Sequence, residues 1–436
     1  MDRLTRDRVL QANPWLATPA QLATVVHRHV PDAWIPRRVP LDGFADRSRA
    51  KLIVGPRQVG KTTWLWHHLG SRPPSSLLYL QCEEPLLRTW LSSPISFLDE
   101  LRRELPEVDT LFLDEAQHLD EAGLVIKGII DARLDLDVFV TGSSAFHLDA
   151  GTRESLAGRA VRRVMWPLSL REATSPRPGE APLAARARAR AAVDRQWLYG
   201  GYPRPFLAEE PAAELSDLVE AFIVRDASDR FRIQHIDAFR RLLQLAATQA
   251  GQMVNMSEWS SLLGISAGTV DDYLTVLEES YILRRVPAFS GGRRREITSA
   301  RRVHYCDAGI RNAVIRAYAP DLHLRPDRGA LAETWAFGEV LKSVPREWGV
   351  HYWRAKGGAE MDVVLVLGER LIGVEVKAGK TRVSRSVRSF ADAYAPEAIV
   401  LVGSELGDTP TRLGKTALVA TTFEDLGAHL ERLAGP

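Results

Sequence analysis

Residues Gly55-Pro56-Arg57-Gln58-Val59-Gly60-Lys61-Thr62-Thr63 set two glycines around a short turn and follow them with a lysine and two hydroxyls. This spacing fits G-x-x-x-x-G-K-[ST], a loop whose amide N–H groups can surround phosphate oxygens. An apolar strand precedes it and a helical segment follows, so the positive end of the helix adds to the cradle. Lys61 is expected to neutralise the β- and γ-phosphates of ATP, and Thr62 to present its hydroxyl to Mg2+. Further on, Thr110-Leu111-Phe112-Leu113 runs into Asp114-Glu115. A strand ending in two acids delivers them to the carboxyl edge of a parallel sheet, where Asp114 suits the magnesium shell and Glu115 suits a general base.

Three further positions could serve the same chemistry. Val138-Phe139-Val140 leads into Thr141-Gly142-Ser143, where Ser143, or Thr141 after it, can sense the γ-phosphate; a plain turn is the alternative. Arg159 is a candidate arginine finger reaching into a neighbouring subunit of a homo-oligomer, or else a surface arginine.

A second set of acids lies near the carboxyl end. Asp362 sits in the strand Met361 to Val366, and Leu371 to Lys377 ends in Glu375-Val376-Lys377. Residues two apart in a strand share a face, so Glu375 and Lys377 point the same way. If the neighbouring strand aligns, Asp362 joins Glu375 around one Mg2+ or Mn2+, with Lys377 beside an attacking water. Glu333 or Glu339, both in the helical stretch Leu331 to Leu341, could supply an upstream acid. The plain alternative is a hairpin with solvated charges, or a fold that keeps these residues as a binding scaffold.

The elements that must position these residues read as an α/β chain. Short apolar strands at Lys51 to Val54, Leu77 to Leu80, Leu111 to Leu113, Val138 to Val140 and Ala160 to Met165 alternate with helices, the pattern of a parallel sheet covered on both faces. Four segments are expected: a helical lead over 1–48, the phosphate-loop core over 49–174, a helical lid with a winged-helix region over 175–325, and an α/β domain over 326–436. Within the third, Met256 to Leu277 has helix-turn-helix spacing, with Ser257 as the expected N-cap, Gly264 at the turn and Val270, Leu274 and Leu277 buried. Its second helix carries Asp271, Asp272, Glu278 and Glu279, which repel phosphate. The basic charge lies beyond, in Arg284, Arg285, Arg293, Arg294, Arg295, Arg301 and Arg302, so DNA contact is expected from Arg293 to Arg295 in a wing, a solvated loop or a contact with another domain of the same chain being the alternatives.

With 436 residues, 45% hydrophobic and 26% charged, the chain has ordinary globular composition and length for several domains. A net charge of +2 gives no case for nucleic-acid binding by the chain as a whole. Two distant cysteines, Cys82 and Cys306, build neither a disulfide framework nor a zinc site. The amino terminus alternates charges without an apolar stretch, and no run reaches membrane-helix length, so a cytoplasmic protein without a membrane partner is expected.

Taken together, these residues resemble the AAA+ ATPases. More narrowly, the chain is similar to a prokaryotic group sharing Gly-Pro-Arg-Gln-Val-Gly-Lys-Thr-Thr, Leu-Asp-Glu-Ala-Gln, Thr-Gly-Ser-Ser, Leu-Ala-Gly-Arg, Gly200-Gly201-Tyr202-Pro203, Tyr305-Cys306-Asp307-Ala308-Gly309, Glu360-Met361-Asp362 and Glu375-Val376-Lys377. The resemblance implies an AAA+ P-loop core, a winged-helix region and a C-terminal domain with a restriction-endonuclease-like, PD-(D/E)xK core. The expected activity is Mg2+-dependent ATP hydrolysis coupled to action on nucleic acid. The alternative is a nucleotide-switched regulatory ATPase whose C-terminal domain binds a partner without chemistry.

Overall fold

The structure, a computed structural model, describes residues 1–143, 156–223, 233–289, 291 and 300–435. It forms two compact units, Met1–Trp166 and Pro167–Pro436.

In the first unit, strands β1 (Ala50–Val54), β2 (Leu77–Gln81), β3 (Thr110–Asp114), β4 (Asp137–Gly142) and β5 (Ala160–Val164) form one sheet in the order β2-β3-β4-β1-β5. Every neighbouring pair is parallel. The apolar runs are explained by burial on both faces. One face is aliphatic: Leu52, Val54, Leu80, Leu111, Leu113, Val138 and Val140 pack with Phe97, Leu101, Ile126 and Ile129 from helices Pro94–Glu104 and Ala122–Asp131. The alternate residues make an aromatic face, where Trp66 of helix Lys61–Leu69 meets Tyr79 at 4.9 Å and Phe112 at 5.7 Å between ring centroids.

Strand order also locates a crevice. β1 and β4 are neighbours, yet the chain leaves β1 toward β2 on one side and leaves β4 toward β5 on the other. Their carboxyl ends therefore part into opposite connections, which is where open α/β sheets bind ligands.

The first residues dock onto this unit at the free edge of β2. Asn13 is fully buried; its Nδ2 donates to the Tyr79 carbonyl at 2.9 Å and its Oδ1 accepts from the Tyr79 amide at 2.7 Å. Trp15 Nε1 donates to the Leu77 carbonyl at 2.9 Å. Side chains here satisfy an edge that would otherwise present unpaired backbone groups.

In the second unit, helices Ile236–Thr248, Met256–Leu263 and Ala267–Glu279 precede an antiparallel pair, β6 (Leu283–Val286) and β7 (Arg302–Tyr305). Gly264 turns between the second and third helices at φ 69°, and Val270, Leu274 and Leu277 are buried as the spacing requires. The N-cap is Asn255 rather than Ser257: Asn255 Oδ1 accepts from the Glu258 amide at 3.3 Å. Asparagine one turn before the first backbone donor suits this role better than a serine already inside the helix.

The rest of this unit is a six-stranded mixed sheet, built from β8 (Gly349–Arg354), β9 (Glu360–Leu367), β10 (Arg370–Val376), β11 (Ala398–Gly403), β12 (Arg412–Leu413) and β13 (Thr416–Thr422), in the order β12-β13-β11-β10-β9-β8. β8, β9 and β10 form an antiparallel meander, whereas β10, β11 and β13 run parallel. Helices Arg328–Ser343 and Leu426–Ala434 contribute to the core on one face and helix Arg385–Tyr394 to that on the other. Among the described residues no helix is long and apolar enough to cross a membrane. Both cysteines are buried and free.

Candidate functional site

The loop between β1 and helix Lys61–Leu69 needs its glycines for two different reasons. Gly55 has φ 147° and comes so close to the chain end of β5 that a Cβ would stand 2.2 Å from the Met165 carbonyl oxygen. Gly60 has open space around it but φ 92°, a left-handed conformation that side chains disfavour. Gln58 also adopts positive φ, 60°, the one non-glycine in the loop to do so. Such conformations turn successive amides to one side, which is how a phosphate nest is made. Lys61 is buried and its Nζ donates to the loop's own carbonyls, Gly55 at 3.1 Å and Pro56 at 2.9 Å.

Strand β3 brings Asp114 to the same place. Its Oδ1 accepts from Thr62 Oγ1 at 2.8 Å and also from Thr141 Oγ1; its Oδ2 accepts from Tyr79 OH at 3.1 Å. Four separate elements thus converge on one carboxylate. Burial pushes its pKa up, with the hydroxyl donors pulling the other way. Glu115 stands at φ 53°, its amide donating to Thr141 Oγ1 at 2.8 Å and its carboxylate accepting from Gln117 Nε2. Gln117 in turn accepts from the Ser143 amide at 2.9 Å. Burial would raise the Glu115 pKa, but the Lys61 charge and the Gln117 amide outweigh it and hold the group lowered and ionised.

Of the expected nucleotide residues, Lys61, Thr62, Asp114 and Glu115 are brought together, and Ser143 joins through its backbone. Thr141, the second choice in the sequence, has the more direct role, because its hydroxyl touches both acids' residues. Arg159 donates from Nε to Asp131 at 2.7 Å, at the surface of its own chain. Tyr79, Gln117 and Arg37 went unnoticed in the sequence. Gln117 stands inside Leu-Asp-Glu-Ala-Gln; Tyr79 looked like one more strand aromatic. Arg37, from a loop without periodicity, donates to the carbonyls of Val59 and Trp166 and so braces the phosphate loop.

The C-terminal acids are a separate cluster. β9 and β10 pair through Val374 opposite Val363, which makes Glu375 and Asp362 next in the ladder. The backbone ladder stops there, and Asp362 Oδ2 instead accepts from the Val376 amide at 2.7 Å. Lys377 Nζ lies 2.8 Å from Glu375 Oε1, as their shared face demands. Glu375 Oε2 is buried without a hydrogen-bond partner among the described residues. The two helical acids separate: Glu339 accepts from the Leu170 amide at 3.2 Å and from Lys342 at 3.0 Å, whereas Glu333 feels the charge of Asp362. Burial first, and Asp362 second, push Glu333 up to about 8 and Glu375 up to about 7. Among the described residues, however, no three His, Cys, Asp or Glu side chains are gathered as a metal-binding group. Asp362 and Glu375 are therefore neighbours in charge rather than a preformed cation site.

Arg293, Arg294 and Arg295 lie outside the described residues. Of the other basic residues of that region, two are engaged inside the unit. Arg285 pairs with Glu278 and with Asp271, both at 2.5 Å. Arg302 pairs with Glu360 and lies 4.5 Å over the Tyr352 ring. Phe289 adds a backbone hydrogen bond to Tyr352, so β6 and β7 are fastened to β8.

Residues 47–174 match a family model described as an AAA domain. The match supports a prokaryotic AAA-type ATPase family for this part of the chain and suggests ATPase activity. Residues 190–321 and 328–422 match two models described as domains of unknown function, DUF8612 and DUF4143. An uncharacterised protein of Mycobacterium tuberculosis is 27% identical over 350 residues, spanning 79% of this chain and 74% of its own. Another from Methanocaldococcus jannaschii is 24% identical over 400 residues, spanning 83% and 82%. The structure of Caenorhabditis elegans PCH-2 aligns at 16% identity over 61% of this chain and 66% of that one, with a TM-score of 0.22.

Proposed function

We propose that the protein is a Mg2+-dependent ATPase whose nucleotide site is the crevice between β1 and β4. The observation that carries this reading is the hydrogen bond from Thr62 to Asp114, which ties the phosphate loop to the acid strand. Lys61 exchanges its loop carbonyls for the β- and γ-phosphates. Glu115, held ionised, takes the proton of the water that attacks the γ-phosphorus as the bond to the β–γ bridging oxygen breaks. Thr62 and Asp114 offer hard oxygen donors of the kind Mg2+ takes, and the cation, when bound, neutralises phosphate charge. Arg159 would act in a homo-oligomer, exchanging Asp131 for a phosphate in the next subunit.

For the second unit we propose a nuclease-like arrangement in which Glu333, Asp362 and Glu375 take Mg2+ or Mn2+ and Lys377 faces the phosphodiester. Its support is that Glu333 and Glu375 each feel the charge of Asp362, that Lys377 shares the face of Glu375, and that Glu375 Oε2 is unpartnered among the described residues. A second reading, a nucleotide-switched ATPase with a non-catalytic tail, draws support from Arg285 and Arg302, whose charges are already used internally.

One experiment separates the two. The full chain is incubated with linear and branched DNA and Mg2+ or Mn2+, with and without ATP. Cleavage that Lys377→Ala abolishes supports the nuclease-like reading. ATP turnover indifferent to nucleic acid, without cleavage, supports the switch.

A further inference from the structure

Resting on the ATPase reading, we propose that Tyr79 is a positioning residue for the cation-binding acid: its hydroxyl aims Asp114, and the amino-terminal segment holds Tyr79 through Asn13.

The geometry of Asp114 motivates this. Of its two oxygens, Oδ1 faces Thr62 and Thr141, the residues nearest the phosphate loop and the end of β4. The other, Oδ2, takes Tyr79 OH at 3.1 Å. One oxygen is thus turned toward the ligand side and the other is tethered from β2, which fixes the carboxylate plane. Partners of a metal-binding carboxylate act in this way, orienting it and tuning its basicity without touching the cation.

Tyr79 has little freedom of its own. Its ring is wedged between Trp66 at 4.9 Å and Phe112 at 5.1 Å. Its backbone is clamped on the outer side of the edge strand by both polar atoms of the Asn13 side chain, at 2.7 and 2.9 Å. Neither clamp is part of the ordinary sheet ladder, since β2 pairs with β3 on its other side. A chain of contacts therefore runs from the first helix through Asn13, the Tyr79 backbone and the phenol to Asp114. Removing the phenol hydroxyl leaves the packing in place and leaves the acid held through Oδ1 by Thr62 and Thr141, so that its plane is less tightly fixed.

The test uses Tyr79→Phe in the full chain, because phenylalanine keeps the ring between Trp66 and Phe112. Mn2+ is titrated into the ADP-loaded protein and bound cation read by electron paramagnetic resonance. ADP affinity without cation and the melting temperature are measured alongside. The expected result is about a 10-fold loss of cation affinity, with cation-free ADP affinity and melting temperature essentially unchanged. Tyr79→Leu, which disturbs packing as well, lowers the melting temperature and loses cation affinity. Equal Mn2+ affinity in Tyr79→Phe and the native chain overturns the proposal, as does a loss of cation-free ADP affinity equal to the cation loss. Native protein that binds ADP and Mn2+ yet shows no ATP turnover counts against the ATPase reading alone, and the titration still decides the role of Tyr79.

Discussion

Two buried acid sites in this chain treat their carboxylates in opposite ways. Around Asp114, three hydroxyls from three elements supply donors to both oxygens, and Glu115 has an amide and the Lys61 charge at hand. Around Asp362, carboxylates face carboxylates: Glu333 and Glu375 are raised by burial and by its charge, and one Glu375 oxygen has no donor among the described residues. The carboxylates of the first site find their donors within the fold. The second holds electrostatic stress that a proton or a cation must relieve. The difference is one of degree: Asp114 takes three hydroxyls over both oxygens, whereas Asp362 has the Val376 amide and Glu375 has Lys377 on one oxygen only.

The contrast can be broken most directly at Lys61. Lys61→Ala is expected to weaken ATP binding on the order of 10²- to 10³-fold, measured by calorimetry, while leaving cation binding by the second unit unchanged. Loss of both together would mean that the two sites are not independent. Glu115→Gln should keep ATP binding and slow turnover by roughly 10²- to 10⁴-fold; unaltered hydrolysis removes Glu115 from the base role.

Stability against pH sharpens the comparison at the other site. Glu333 and Glu375 have folded pKa values raised above their unfolded ones, so protonation favours the folded state. That contribution is fully present below about 4.5 and is lost as the pH rises through about 7 and 8. The cation-free second unit should therefore melt at lower temperature as pH is raised across this window, and Glu333→Gln should flatten the trend. A melting profile that climbs over the same range contradicts the stressed-acid description.

The smallest effect concerns the edge of the first sheet. Asn13→Ala removes both side-chain bonds to Tyr79 and leaves two buried backbone groups unpaired, costing about 1–3 kcal/mol. Calorimetric unfolding should show the loss in the first unit's transition; an unchanged transition would mean that the amino-terminal segment is not fastened there.

Much of the first site was legible because its chemistry is local. Lys61 and Thr62 are adjacent in sequence, and Asp114-Glu115 end a strand whose apolar run announces itself. Tyr79 was not legible, since nothing in Leu77 to Leu80 distinguishes a core aromatic from one whose hydroxyl meets an acid two strands' worth of chain away. Nor could Glu333 be fully separated from Glu339 before their neighbours were known: they lie less than two helical turns apart, and only packing brings Glu339 to the Leu170 amide.

The arginines beyond the helix-turn-helix teach the same lesson from the other side. Arg285 and Arg302 read as free positive charge, because charge alone says nothing about which acids the fold brings near. Glu278 and Asp271 lie on the preceding helix, and Glu360 comes from a distant strand.

By itself the sequence determined the phosphate loop, the acid-tipped strand and the alternation of strand and helix, because loop geometry, hydrogen-bond spacing and burial periodicity act over a few neighbouring residues. Tertiary structure alone decided which hydroxyls hold Asp114, where the first helix docks and which C-terminal acids share a field. Those depend on contacts between segments far apart in the chain, and long-range contacts are set by the packing of whole faces rather than by any local signature.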